Sequence, residues 1–154
     1  MNKFMRIAIE EAYNGMRNED GGPFGAVIVK NGEIIAKAHN MVIATNDPTM
    51  HAEIAAIRKA TKKLGRFDLS DCEIYSSCEP CPMCFSAIHW AKMKKLYYGA
   101  TRYDAAQINF DDQFIYDVIL GKAEKLQVEV IHLEDADNVK PFNEWQRLES
   151  KTQY

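Results

Sequence analysis

The sequence predicts a three-layer α/β/α fold on a mixed five-stranded sheet, and three observations lead there. Two apolar runs, residues 24–30 and 33–39, flank Asn31-Gly32, a dipeptide suited to a hairpin turn in which both central residues take positive φ. After this hairpin, helical and short strand patterns alternate, which calls for helices on both faces of a mixed sheet. With 154 residues, 47% of them hydrophobic, and no repeat, low-complexity stretch or linker, the chain reads as one domain, 1–154, around one core.

The elements follow in order. Residues 2–17 set Phe4, Ile7, Ala8, Ala12 and Met16 at helical spacing, and Gly21-Gly22-Pro23 breaks that helix. The hairpin supplies two antiparallel strands. Asn46-Asp47-Pro48-Thr49 reads as a helix start, with Asp47 the cap and Pro48 the first helical residue. This helix runs to Leu64 and stops at Gly65. A strand is expected over 71–77, a helix opened by Pro80 and Pro82 to Ala91, and a strand over 95–100. Asp111-Asp112 heads a helix through Leu120, 126–133 is the fifth strand, and Pro141 begins a terminal helix.

Composition narrows the function. A charged fraction of 27% and an aromatic fraction of 10% suit an ordinary globular protein. No apolar run approaches a membrane span, and the opening residues lack the apolar stretch of a signal peptide, so no membrane partner and a cytoplasmic location are expected. Net charge is −3, from 19 basic and 22 acidic residues, which favours a small substrate over a nucleic acid. Lys92, Lys94 and Lys95 read as a solvated loop.

Four cysteines stand at 72, 78, 81 and 84, a clustering that suits a metal better than disulfides. Cys81 and Cys84 lie three apart at a helix start, where both sulfurs meet one ion and the helix dipole favours thiolate. With His51 they make a zinc set of two thiolates and an imidazole, one ion per chain, whose open fourth position takes a water with its pKa lowered to about 7. Glu53, two residues from His51, stands where a proton carrier for that water is needed. Other readings exist. A redox Cys-x-x-Cys has no use for the His-x-Glu element. An iron–sulfur set from Cys78, Cys81 and Cys84 lacks a fourth cysteine at cluster spacing. A closed structural zinc site with Cys78 as fourth ligand leaves Glu53 without a role. Cys72 and Cys78 then read as core or near-site thiols.

At these residues the sequence resembles the cytidine and nucleotide deaminase superfamily, and within it the bacterial guanine deaminases, over nearly the whole chain. The shared stretches are Gly21-Gly22-Pro23-Phe24-Gly25-Ala26-Val27-Ile28-Val29, Asn46-Asp47-Pro48-Thr49, His51-Ala52-Glu53, Ser77-Cys78-Glu79-Pro80-Cys81-Pro82-Met83-Cys84, Phe110-Asp111-Asp112-Gln113-Phe114-Ile115-Tyr116 and the closing Tyr154. The resemblance implies zinc-dependent hydrolysis of guanine to xanthine and ammonia. It implies Phe24, Asn40, Ala52, Asp112 and Tyr154 around the base, with Glu79 and Trp90 beside the metal site. Phe85 and His89 depart from the family pattern, which puts pocket packing in question.

Physics supports these assignments in part. A carboxylate only accepts, so Asp112 suits guanine, which donates from N1 and the C2 amine, and opposes adenine. Against this, Asp111 and Asp112 also read as plain helix caps, Phe24 as core and Asn40 as a turn residue. The rivals are a deaminase of a tRNA wobble adenosine, cytosine or guanosine, and a non-catalytic zinc-stapled module. The tail sets Phe142, Trp145 and Leu148 on an apolar stripe behind a polar hinge, 134–140. With the resemblance, this predicts a homodimer in which residues 141–154 are exchanged.

Overall fold

A computed structural model describes residues 2–154. Helix α1 (Lys3–Arg17) is capped by Asn2, whose Oδ1 accepts from Phe4 N at 2.8 Å. Strands β1 (Gly25–Lys30) and β2 (Glu33–His39) form the expected hairpin, with φ of 49° at Asn31 and 80° at Gly32. Then come α2 (Val42–Thr45), α3 (Ala52–Leu64), β3 (Glu73–Cys78), α4 (Pro82–Trp90) and β4 (Lys95–Ala100). After them lie α5 (Arg102–Gln107), α6 (Gln113–Ile119), a 3₁₀ turn (Ala136–Val139) and α7 (Lys140–Arg147).

The sheet order is β2-β1-β3-β4, with β1 antiparallel to both neighbours and β3 parallel to β4. Both faces are covered, so β1 is apolar throughout and its side chains alternate between two cores. Val27 and Val29 join Tyr75 beneath Phe4 and Ala8 of α1. Ala26 and Ile28 join Ile74 beneath Ala52, Ala55, Ala56 and Ala60 of α3 and Ile88 of α4. The alanine face of α3 lets that helix settle close on the sheet. The parallel β3–β4 pair requires a crossover, and α4 supplies it, with Cys81 at its cap and Cys84 in its first turn.

Several expectations need correction. The sheet has four strands, because 126–133 forms none. Its alternating apolar residues find no partner edge within the chain: Val128 is 72% exposed, and Val130 and Leu133 are each 78% exposed. Every residue from Glu124 to Tyr154 is exposed, the stripe Phe142, Trp145 and Leu148 included. The second long helix begins later than predicted. Asp47 Oδ1 closes a local turn onto Thr49 N (2.8 Å) and Thr49 Oγ1 (2.6 Å), so Pro48 lies outside the helix and His51 becomes the cap of α3. Helices α2 and α5 were not anticipated. The second carries a reciprocal capping box between Thr101 and Asp104. Among the described residues, no helix is long and apolar enough to cross a membrane.

Candidate metal centre and base pocket

Two helix starts converge to make the centre. His51 caps α3 and Cys81 caps α4, each extended, with ψ of 162° and 166°. Neither side chain makes a capping bond, so both are free to turn towards a shared ion. Pro82 takes the first helical position, where its missing N–H costs nothing, and Cys84 follows one turn inside. His51 Nδ1 lies 3.5 Å from the sulfur of Cys81 and 3.5 Å from that of Cys84. Zinc bonds of about 2.3 Å to sulfur and 2.0–2.1 Å to nitrogen, at tetrahedral angles, separate S and N by about 3.6 Å. The three ligand atoms fit zinc, all lying within 4.8 Å of one another.

The charges already lean towards a cation. The thiol of Cys84 donates towards Cys81 and, with His51 nearby, brings Cys81 down to about 4. In return that thiolate, and then burial, push Cys84 upward. The contact with Cys81 also raises His51. A divalent ion resolves this shared-proton arrangement by taking both sulfurs as thiolates.

Glu53 sits one residue beyond the start of α3 and is buried, and Ser76 Oγ donates to its Oε1 at 3.0 Å. Burial, the largest cause, holds its carboxyl above the usual range. Sequence reasoning missed Ser76. The signal was a hydroxyl at the β3 position alternating with Ile74, on the face that otherwise meets apolar α3 side chains.

A cavity of about 560 Å³ opens over these groups and is lined by Phe24, Asn40, His51, Glu53, Glu79, Cys81 and Asp112. Phe24 does two jobs: it packs on the α3-side core and meets Phe110 edge-on at 5.0 Å, with the rings 88° apart. Asn40 is buried, and its Oδ1 accepts from Val42 N at 3.1 Å, turning the chain into α2. A side chain at Gly21 would overlap that amide, so the glycine leaves Asn40 its place. Ala52 is fully buried and offers an N–H at the first helical position, where α3 has no acceptor for it. Val42, Ile43, Met83, Phe110 and Ile115 complete the apolar wall, none of them singled out from sequence.

The two aspartates divide. Asp111 Oδ1 accepts from Gln113 N at 3.0 Å, whereas Asp112, the N-cap of α6, makes no side-chain capping bond. Asp112 Oδ1 is buried without a hydrogen-bond partner, and burial raises the carboxyl above its ordinary range. That leaves a buried carboxylate oxygen beside the cavity able to accept from a bound donor.

The structure does not bring Trp90 or Tyr154 to this cavity. Trp90 ends α4, nine residues beyond Cys81 and roughly 13 Å along the helix, and is 66% exposed. Tyr154 lies beside it, ring centroids 6.2 Å apart, at the end of the segment that leaves the body of the fold. Phe85 and His89 also miss the pocket, their rings in tilted contact with centroids 4.4 Å apart on the outer side of α4. Cys72 is a core thiol, and Cys78 donates to the Thr101 carbonyl at 3.6 Å, with burial pushing it up to about 11.

Comparisons with known proteins agree with this geometry. Residues 1–100 match the family described as the cytidine and deoxycytidylate deaminase zinc-binding region. The chain is 47% identical to guanine deaminase of Bacillus subtilis over 98% of its length and 97% of that protein. The crystal structure of that enzyme superposes with a TM-score of 0.94, covering 100% of this chain and 99% of the other. A tRNA-specific adenosine deaminase of Aquifex aeolicus is 42% identical over 63% of this chain and 64% of its own. A guanine deaminase structure from Nitrosomonas europaea aligns at 34% identity and TM-score 0.67, over 71% of this chain and 63% of that one.

The geometry makes Cys78 a spectator. Cys78→Ala should keep one zinc per chain by elemental analysis, and loss of the metal would mean a closed four-ligand site.

Proposed function

Because the chain belongs to the cytidine and deoxycytidylate deaminase zinc-binding family, we propose that it hydrolyses guanine to xanthine and ammonia. The observation that carries this reading is the meeting, in one cavity, of the metal ligands, the buried Glu53 and the unpartnered carboxylate of Asp112. The match to the Bacillus subtilis guanine deaminase covers 98% of the chain, whereas that to the Aquifex aeolicus tRNA-specific adenosine deaminase covers 63%. That favours guanine over tRNA adenosine, as does the acidic balance of the chain.

Zinc held by His51, Cys81 and Cys84 supplies the Lewis acidity that brings water to a pKa of about 7. Glu53 would take one proton of the water that adds at C2 and deliver it to ring N3, then take the second from the new C2 hydroxyl as the carbonyl forms and pass it to the amine, which leaves as ammonia. Its burial suits the task, since a carboxyl held above its ordinary range is a stronger base than a free carboxylate and is matched more closely to accepting and returning a proton near neutral pH. Ser76 keeps one oxygen of Glu53 fixed while the other serves the substrate. Asp112 accepts from N1–H and the C2 amine, the Ala52 N–H and the amide nitrogen of Asn40 supply donors, and Phe24 walls the ring.

The same reading makes the whole chain one deaminase domain in the cytoplasm, acting as a homodimer with residues 141–154 exchanged. Tyr154 of each chain then closes the other's cavity. Three features support the exchange. The outer edge of β4 is unpaired, the apolar residues of 126–133 are uncovered, and an apolar groove of about 590 Å³ runs between α1, the end of β4 and α5.

Three outcomes test these roles. Glu53→Gln should retain zinc and fold but lose about 10²–10⁴-fold in kcat, and near-normal turnover would remove the proton carrier. Asp112→Asn should lower kcat/KM for guanine by about 10²–10⁴-fold with zinc retained, the scale of two charge-assisted hydrogen bonds at ~1.5–3 kcal/mol each. Unchanged kinetics would reduce Asp112 to a helix cap. Finally, a chain lacking residues 150–154, mixed with full-length Glu53→Gln under subunit exchange, should regain activity. No recovery in demonstrated heterodimers would mean that each chain closes its own site.

A further inference from the structure

The carboxylate of Asp112 has no capping bond and its buried Oδ1 has no partner, so its position is inherited from the first turn of α6. That helix is seven residues long and contains no buried residue, so core packing does not hold it. What holds it is Tyr116. The Tyr116 hydroxyl donates to the Pro80 carbonyl at 2.8 Å, immediately before the ligand Cys81. Its backbone N–H donates to the Asp112 carbonyl at 3.3 Å, so the anchored residue and Asp112 share one helical turn.

The ring of Tyr116 rests on a second fixed group. The Arg102 guanidinium lies 4.1 Å from the ring centroid. Arg102 is itself locked by Glu79, whose Oε1 accepts from Nε at 3.1 Å and Nη2 at 2.7 Å, and whose Oε2 accepts from the Arg102 N–H at 3.0 Å. Glu79 N donates to the Ala100 carbonyl at 2.8 Å, tying the assembly to the end of β4. A closed strut thus runs from Pro80 through Tyr116, Arg102 and Glu79 back to Pro80.

We propose that Tyr116 and Arg102 are positioning residues that set the distance between Asp112 and the metal-binding turn, and with it the selection of guanine. The inference rests on the reading of Asp112 as the base-recognising group. It explains why a short surface helix carries a recognition side chain: the strut gives α6 the rigidity that packing does not.

Tyr116→Phe keeps the ring on the guanidinium and removes the hydroxyl. In the zinc-loaded full-length protein it should raise KM for guanine about five- to tenfold, with kcat within about twofold and zinc content unchanged, the scale of one lost hydrogen bond. In an Asp112→Asn background, read by single turnover with enzyme in excess, the same change should alter kcat/KM less than twofold. The full effect persisting there, or no effect in the native background while Asp112→Asn is damaging, would overturn the strut. An Asp112→Asn protein with native kinetics would overturn the recognition reading and the inference together. Arg102→Lys, which keeps the charge and loses the fork, carries the same expectation and replaces Tyr116→Phe should that variant not fold.

Discussion

The geometry of this protein depends on two helix N-termini aimed at one point. A tetrahedral metal tolerates little error, and here its ligands come from segments thirty residues apart, so the scaffold must fix both starts independently. It does so by burial. The alanine face of α3 sits on β2 and β1, and α4 is the crossover that joins β3 to its parallel neighbour. His51 and Cys81 occupy cap positions whose side chains bond to nothing in their own helices. The capping role that serines or aspartates fill elsewhere is given up, and the freed side chains become ligands.

This arrangement concentrates cost. Glu53 lies in the same buried zone as the alanine core, and an ionised carboxylate there is unfavourable without partners. Ser76 offsets part of that penalty, and the remainder appears as an upward shift in the carboxyl. The same property suits a group that must accept and return a proton in one turnover. Asp112 repeats the theme further out, with a buried oxygen left unpaired until a donor arrives. The two carboxylates therefore differ: Glu53 is tied to the scaffold through Ser76, and Asp112 keeps one buried oxygen unpaired.

What was legible in the sequence follows from the range of each interaction. Asn31-Gly32 declares its hairpin locally, and the ligand chemistry of His51, Cys81 and Cys84 needs only residue type and spacing. The start of α3 was misread because Asp47 has two uses, capping a helix or closing a turn on Thr49, and the choice depends on where His51 must sit. The capping box Thr101–Asp104 is legible in residue type and spacing, a threonine three residues before an aspartate. The division between Asp111 and Asp112 was beyond sequence, because adjacent identical residues differ only in what surrounds them. Trp90 shows the limit of carrying a position by proximity in sequence, since a helix takes it two turns away from the metal.

The fifth strand exposes a different limit, and it bears on how selectivity is built. Residues 126–133 have a strand pattern, yet alternation specifies only which face is apolar and leaves open which edge pairs with it. In the single chain those residues, with Phe142 and Leu148, stay in solvent, while the outer edge of β4 and the groove beside α1 stay open. Uncovered apolar residues beside an open strand edge are the features that interaction surfaces share. The first hundred residues, matched by the family, carry His51, Glu53, Cys81 and Cys84 and nearly all of the buried core. Beyond them the chain adds α6 and the tail, elements with almost no buried residues of their own. The candidate metal site thus stands on the buried core, and Asp112 on an element with no buried residue of its own. A weakly packed element can change its side chains at little cost to the core, which is a physical reason for one zinc scaffold to serve different bases.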